Sequence, residues 1–128
     1  MRKNRMIILT FGFLTILLTS CDPFYPITVS NETKYTAQIL VKETIHFRTD
    51  KKKIQTTADG FDVYELASHE QIFVGFAIAE IDNDIPFEEI KLVKNGDTIA
   101  AGNLDEIKNL FDHKTFGGLK KPYHIRIK

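Results

Sequence analysis

Tyr35-Thr36-Ala37-Gln38-Ile39-Leu40-Val41-Lys42-Glu43-Thr44-Ile45-His46-Phe47 decides the fold class. Odd positions Tyr35, Ala37, Ile39, Val41, Ile45 and Phe47 are apolar, broken by Glu43. Even positions Thr36, Gln38, Lys42, Thr44 and His46 are polar, broken by Leu40. Successive side chains of an extended backbone point to opposite faces, so this period of two predicts a long strand over 35–47, buried on one face and wet on the other.

The same period recurs on both sides of that stretch. Ile27 and Val29 alternate with Thr28 and Ser30 in a first strand, and Asn31-Glu32-Thr33-Lys34 reads as the turn after it. A further strand over 61–66 follows the turn signal Ala58-Asp59-Gly60. Residues 72–81 are apolar at nearly every position, which predicts a central strand covered on both faces, with Gly75 as a bulge or a close backbone approach. Segments 90–94 and 98–101 flank Asn95-Gly96, whose tolerance of positive φ suits a tight hairpin turn. Tyr123, Ile125 and Ile127 alternate with His124, Arg126 and Lys128 in a closing strand.

One helix interrupts this order. Asn103 is placed to cap it, Glu106 follows three residues later, and Leu104, Ile107, Leu110 and Phe111 make one apolar stripe. Gly117-Gly118 mark a turn beyond. Strands separated by turns, with no repeated βαβ unit, predict a mainly β domain over 27–128. The expected architecture is a single antiparallel β-sandwich of immunoglobulin-like size, about seven strands, with one short helix near 104–111. The likeness is architectural: a Cys-Trp-Cys core is missing, and the chain has no Trp.

Catalytic constellations are sparse. Ser68-His69-Glu70 has the residue types of a serine relay, but neighbours on an extended backbone face opposite ways and cannot form one among themselves. His46, His69, His113 and His124 lack metal-site spacing, and His46 and His124 fall on polar strand faces, where exposure is expected. Glu80, Asp82, Asp84, Glu88 and Glu89 form an acidic segment. Asp82-Asn83-Asp84 offers the oxygen ligands calcium prefers, but Ile85-Pro86 stand where further ligands and a glycine belong, so the segment reads as a charged loop. The glycines of Thr115-Phe116-Gly117-Gly118-Leu119-Lys120-Lys121 follow a helix, where a phosphate loop would precede one. Lys51-Lys52-Lys53 reads as a solvated tip, with contact to anionic lipid or an acidic partner as the alternative. Asn31-Glu32-Thr33 matches a glycosylation acceptor by pattern alone. No enzyme activity, metal or cofactor is expected from these residues.

The head of the chain carries the other strong signal. Met1-Arg2-Lys3-Asn4-Arg5 is positive, and an apolar run of about 13 residues follows from Met6 to Leu18. As a helix it would cover roughly 20 Å, short of the ~30 Å a bilayer span requires. Leu18-Thr19-Ser20-Cys21 closes it. This segment resembles the lipobox of bacterial lipoprotein precursors, in which Leu18, Thr19 and Ser20 would be read by the signal peptidase. The resemblance implies cleavage before Cys21, diacylglycerol on its thiol, and often a further acyl chain on the freed amine. It covers the first 21 residues. Asp22, next to the cysteine, resembles an inner-membrane retention signal of some members.

Removing residues 1–20 from the 128 leaves 108, the size of one domain. Arg2, Lys3 and Arg5 leave with the signal, so 14 of the 17 basic residues face 17 acidic ones. A mildly acidic exported domain is a poor nucleic-acid binder. The chain's single cysteine is taken by lipid, leaving none for a disulfide. Residues 21–26, with Pro23 and Pro26, read as a brief stiff linker holding the domain near the bilayer. The expected product is a lipid-anchored envelope protein, on the inner or outer membrane, acting as a non-catalytic binding or accessory module with a protein partner. The alternative is an envelope inhibitor or immunity lipoprotein whose acidic loop at 82–89 plugs a toxin or hydrolase.

Overall fold

Alternating strands assemble into two facing sheets in a computed structural model that describes residues 24–78, 81–112 and 123–128. In chain order these are β1 (Phe24–Asn31), β2 (Ala37–Glu43), β3 (Gln55–Thr56), β4 (Asp62–Leu66), β5 (Gln71–Ile78), β6 (Phe87–Lys94), β7 (Asp97–Ala101), α1 (Leu104–Leu110) and β8 (Tyr123–Ile127). One sheet has the order β5-β1-β8 and the other β3-β4-β2-β6-β7. The mainly β sandwich expected from the alternation is what forms, with eight strands among the described residues if the two-residue β3 is counted. Inward-facing Ile27, Val29, Ile39, Val41, Leu66, Val74 and Ile90 are fully buried between the sheets. Each such aliphatic side chain contributes about 1.5–3 kcal/mol on leaving water.

Local turn chemistry sets the hairpins. Asn95 (φ 47°) and Gly96 (φ 85°) take the left-handed conformations of a primed turn, joining β6 to β7 in antiparallel register. The Asn103 side chain accepts from Glu106 N at 3.0 Å, so the predicted cap is made, while Glu106 Oε2 accepts from Gly102 N at 2.8 Å. Ile107 and Phe111 bury against the core, and Leu104 stays 43% exposed. Gly75 sits where β5 shifts register against β1; an added Cβ would lie 3.1 Å from His46 O and 3.3 Å from Pro86 Cβ. The close approach read from the sequence is therefore present.

Four expectations change. The strand predicted over 35–47 is β2 alone, because Thr44 turns the chain: Phe47 N donates to Thr44 O at 3.1 Å, and the Thr44 hydroxyl donates to Ile85 O at 2.9 Å. Ile45 is consequently exposed and Phe47 re-enters the core, while Tyr35, exposed too, belongs to the turn ahead of β2 in which Asn31 Nδ2 donates to its carbonyl. Of the apolar run at 72–81, read as a central strand, residues 72–78 lie in β5, an edge strand whose outer face is open, and Ile81 begins a 3-10 turn. β8 runs parallel to β1, unlike every other strand pair described. β7 and α1 bring the chain back to the end where β1 starts, so β8 enters beside β1 in the same direction. Finally, Phe24, Tyr25 and Pro26 belong to β1, which extends into the expected linker. Pro26 is tolerated because the β8 ladder begins only at Ile27, leaving an edge position where no amide donor is required on that side.

The sandwich thus has an entry end, where β1 begins, and a far end, where β1 stops at Asn31. Asn31 is fully buried there and ties the sheets together. Its Nδ2 donates to Tyr35 O (2.7 Å), Leu66 O (3.1 Å) and Ala67 O (3.1 Å), and its Oδ1 accepts from Thr33 N (3.0 Å) and the Thr33 hydroxyl (2.7 Å). The Asn-x-Thr pattern serves this buried lock, with the amide nitrogen wholly engaged.

Candidate functional site

The outer face of the three-stranded sheet holds the molecule's most distinctive surface. β1 presents Phe24, Pro26, Thr28 and Ser30 outward, alternating with Ile27, Val29 and Asn31 inward. Register places Ile78 opposite Phe24, Phe76 opposite Pro26, and Phe73 opposite Thr28 on the β5 side. On the β8 side His124 lies opposite Thr28, and Arg126 opposite Ser30. The face therefore grades from apolar at the entry end to polar at the far end.

In the apolar half, Phe24, Phe76 and Ile78 are 66%, 50% and 44% exposed. Their rings support one another. Phe24 and Phe76 meet edge-on at 6.1 Å, and Phe73 and Phe76 are 4.5 Å apart. Such pairing lowers the cost of exposure without removing the rings from water.

In the polar half, the His124 ring is bracketed by two hydroxyls, Thr28 Oγ1 at 2.5 Å from Nδ1 and Ser30 Oγ at 2.9 Å from Nε2. Burial first, and the neighbouring Arg126 charge second, hold this imidazole below its ordinary pKa, against the opposing pull of Glu32 and Asp112. A neutral ring offers one acceptor and one donor, which two hydroxyls can satisfy. Its second nitrogen meets Thr28 where a serine relay would place a carboxylate, so the trio clamps β1 to β8. Arg126 Nε is buried 3.2 Å from Asp112 Oδ2 and 3.4 Å from Glu32 Oε1, in ion-pair range but without hydrogen-bond geometry to either.

His124 corrects the expectation of an exposed histidine; His46 is exposed as read, and His69 is exposed as well. The trio joins residues 94 and 96 apart in sequence, so only knowledge of the β1–β8 pairing could have found it. Ser68, His69 and Glu70 do not converge. The Ser68 hydroxyl donates to Thr33 O at 2.7 Å, His69 sits at φ 62° in a turn, and Glu70 accepts from Ala67 N and pairs with Lys51 at 2.5 Å.

The acidic segment is likewise dispersed. Asp82 pairs with Lys108 at 2.8 Å, Asp84 accepts from Ile78 N at 2.8 Å, and Glu89 pairs with Lys42 at 2.6 Å. Asp82 and Glu88 do line one shallow depression of about 260 Å³, with Thr44, His46, Leu104 and Ile107. Among the described residues no group of three or more His, Cys, Asp or Glu is placed to hold a metal ion. Lys51 and Lys53 of the basic run are paired with Glu70 and Asp62. Leu18, Thr19, Ser20, Cys21, Glu80, His113 and the Gly117-Gly118 turn lie outside the described residues. No helix among the described residues is long and apolar enough to cross a membrane. Comparison with known protein families, with curated proteins and with solved structures finds nothing that matches this chain.

Proposed function

We propose that this chain is a bacterial lipoprotein precursor whose sandwich, tethered at Cys21, works in the cell envelope as a non-catalytic binding or accessory module. One observation carries the reading. The basic head, the apolar run and Leu18-Thr19-Ser20-Cys21 follow one another in the order of a lipoprotein signal and end three residues before β1 opens at Phe24, where the sandwich begins among the described residues. Two or three acyl chains would then hold the domain firmly, since each buried CH₂ contributes about 0.8 kcal/mol. Asn31 and Ser68 close turns and the Thr28–His124–Ser30 trio clamps β1 to β8, roles that suit a protein acting by surface contact with a protein partner.

The test is mass spectrometry of protein purified from bacterial membranes. The expected product begins at Cys21 with diacylglycerol on sulfur, and Cys21→Ala should leave an unprocessed, unlipidated chain. An intact starting methionine with no acyl adduct on the wild-type chain overturns the reading.

A further inference from the structure

We infer that the apolar half of the outer face of the three-stranded sheet is a membrane-contact surface, on which the tethered domain lies against the bilayer. The inference rests on the lipid anchor proposed above and adds an orientation to it. Phe24 is three residues from Cys21 in sequence, so even a fully extended chain keeps the two Cα atoms within about 11 Å of each other. Whatever else the domain does, this end of β1 stays at the headgroup level.

The pattern of that face matches the position. Phe24, Phe76 and Ile78 are exposed where β1 leaves the anchor, and polarity begins at Thr28 and His124, further along the same face. Ile45, 82% exposed, lies on the segment whose Arg48 N donates to Val74 O at 2.9 Å along the outer edge of β5. Apolar side chains held at the interface sink to the boundary between headgroups and acyl chains. A polar collar beyond them limits the depth. Charge sets the tilt: Glu88, near the start of β6 in the five-stranded sheet, and Asp105 and Glu106 on α1, which packs on β6 and β7, are exposed at the entry end. Anionic lipid repels carboxylates, so the domain leans onto the three-stranded face and lifts the acidic tip away.

The chain contains no Trp, which makes a single introduced indole an unambiguous depth reporter. Phe76→Trp and, as a second reporter, Ile78→Trp would be made in the full chain. Each would be purified from membranes and placed in vesicles of phosphatidylethanolamine with a minority of phosphatidylglycerol, with and without acyl-brominated lipid. Ile99→Trp, on edge strand β7 of the other sheet and 49% exposed before substitution, is the control. Mass spectrometry of the same samples reads the state of Cys21, and circular dichroism reads the fold.

The expected result is blue-shifted emission from both reporters, quenched several-fold more strongly than the control. Lipidated, folded reporters quenched no more than Ile99→Trp overturn the orientation and leave the anchor standing; the patch then belongs to a protein partner. A Cys21 without acyl groups overturns the anchor itself, and the orientation with it.

Discussion

Phenylalanine is handled in opposite ways on the two outer faces of this sandwich. On the five-stranded sheet Phe61 is 2% exposed, because Lys91 Nζ lies 4.0 Å and Lys42 Nζ 4.8 Å from its ring centroid. Both ammonium groups are held in turn, Lys42 by Glu89 at 2.6 Å and Lys91 by Asp59 at 3.5 Å. Lysine stems are apolar enough to roof a ring while their heads stay wet, and the cation gains from the ring face. On the three-stranded sheet Phe76 and Phe24 have each other and are half to two-thirds exposed. Shielding a ring on a solvent-facing sheet here takes two lysines and two carboxylates. The three-stranded face leaves Phe76 half exposed, without such a roof, and this sets it apart as a surface for contact.

The comparison presumes that both sheets behave as one body, and Asn31 is where that presumption breaks most easily. Asn31→Ala strands the carbonyls of Leu66 and Ala67 without their buried donor and leaves Thr33 N without its acceptor. Unpaired buried groups cost about 1–3 kcal/mol each, tempered by water entering at the far end, so the expected loss is about 3 kcal/mol in urea unfolding. A loss below about 1 kcal/mol would show that the sheets are held by apolar packing alone.

The sharpest version of the contrast substitutes the same residue type on each face. Phe61→Ala should cost about 2–3 kcal/mol, a little under a fully enclosed Phe, because its roof is made of mobile lysine stems. Phe76→Ala should change stability in lipid-free solution by no more than about 0.5 kcal/mol, as expected of a surface site. Equal losses in the two variants, measured by denaturant unfolding, would mean that the faces do not differ as their exposures indicate.

What could be read from the chain alone follows the range of the physics involved. The Asn95-Gly96 turn and the Asn103 cap are decided by atoms within a few residues, and both were legible. β2 was legible in its interior, while its ends were not: Ile45 continues the apolar alternation yet points into solvent, because the Thr44 turn depends on Pro86 and Ile85, some 40 residues away. The run at 72–81 misled for a related reason. Hydrophobicity records what Phe76 and Ile78 prefer, and a strand with an uncovered apolar face carries the same letters as one enclosed on both sides. The parallel β1–β8 pair and the Thr28–His124–Ser30 clamp are products of topology, with no local trace in either segment.

The smallest expected effect sharpens the polar half of the same face. Burial, with the Arg126 charge next, keeps His124 below the ordinary histidine value of 6.5, while Glu32 and Asp112 pull the other way. In the unfolded chain this ring titrates near its ordinary value, so between the two values the unfolded state binds more protons than the folded one. Its contribution to stability is therefore complete above about pH 6.5, the unfolded value, and declines as pH falls below that toward the lower folded value. Asp62 and Glu70 act in a separate, more acidic window. Hydrogen bonds from Thr56 and from Lys51 respectively hold their carboxyls below the ordinary range, so their contributions fade only as pH falls beneath it. His124→Gln, which keeps a donor and an acceptor for the two hydroxyls, should flatten the upper slope and leave the acid limb in place. Urea unfolding repeated across that pH range reads the difference, and an unchanged upper slope in the variant would remove His124 as its source.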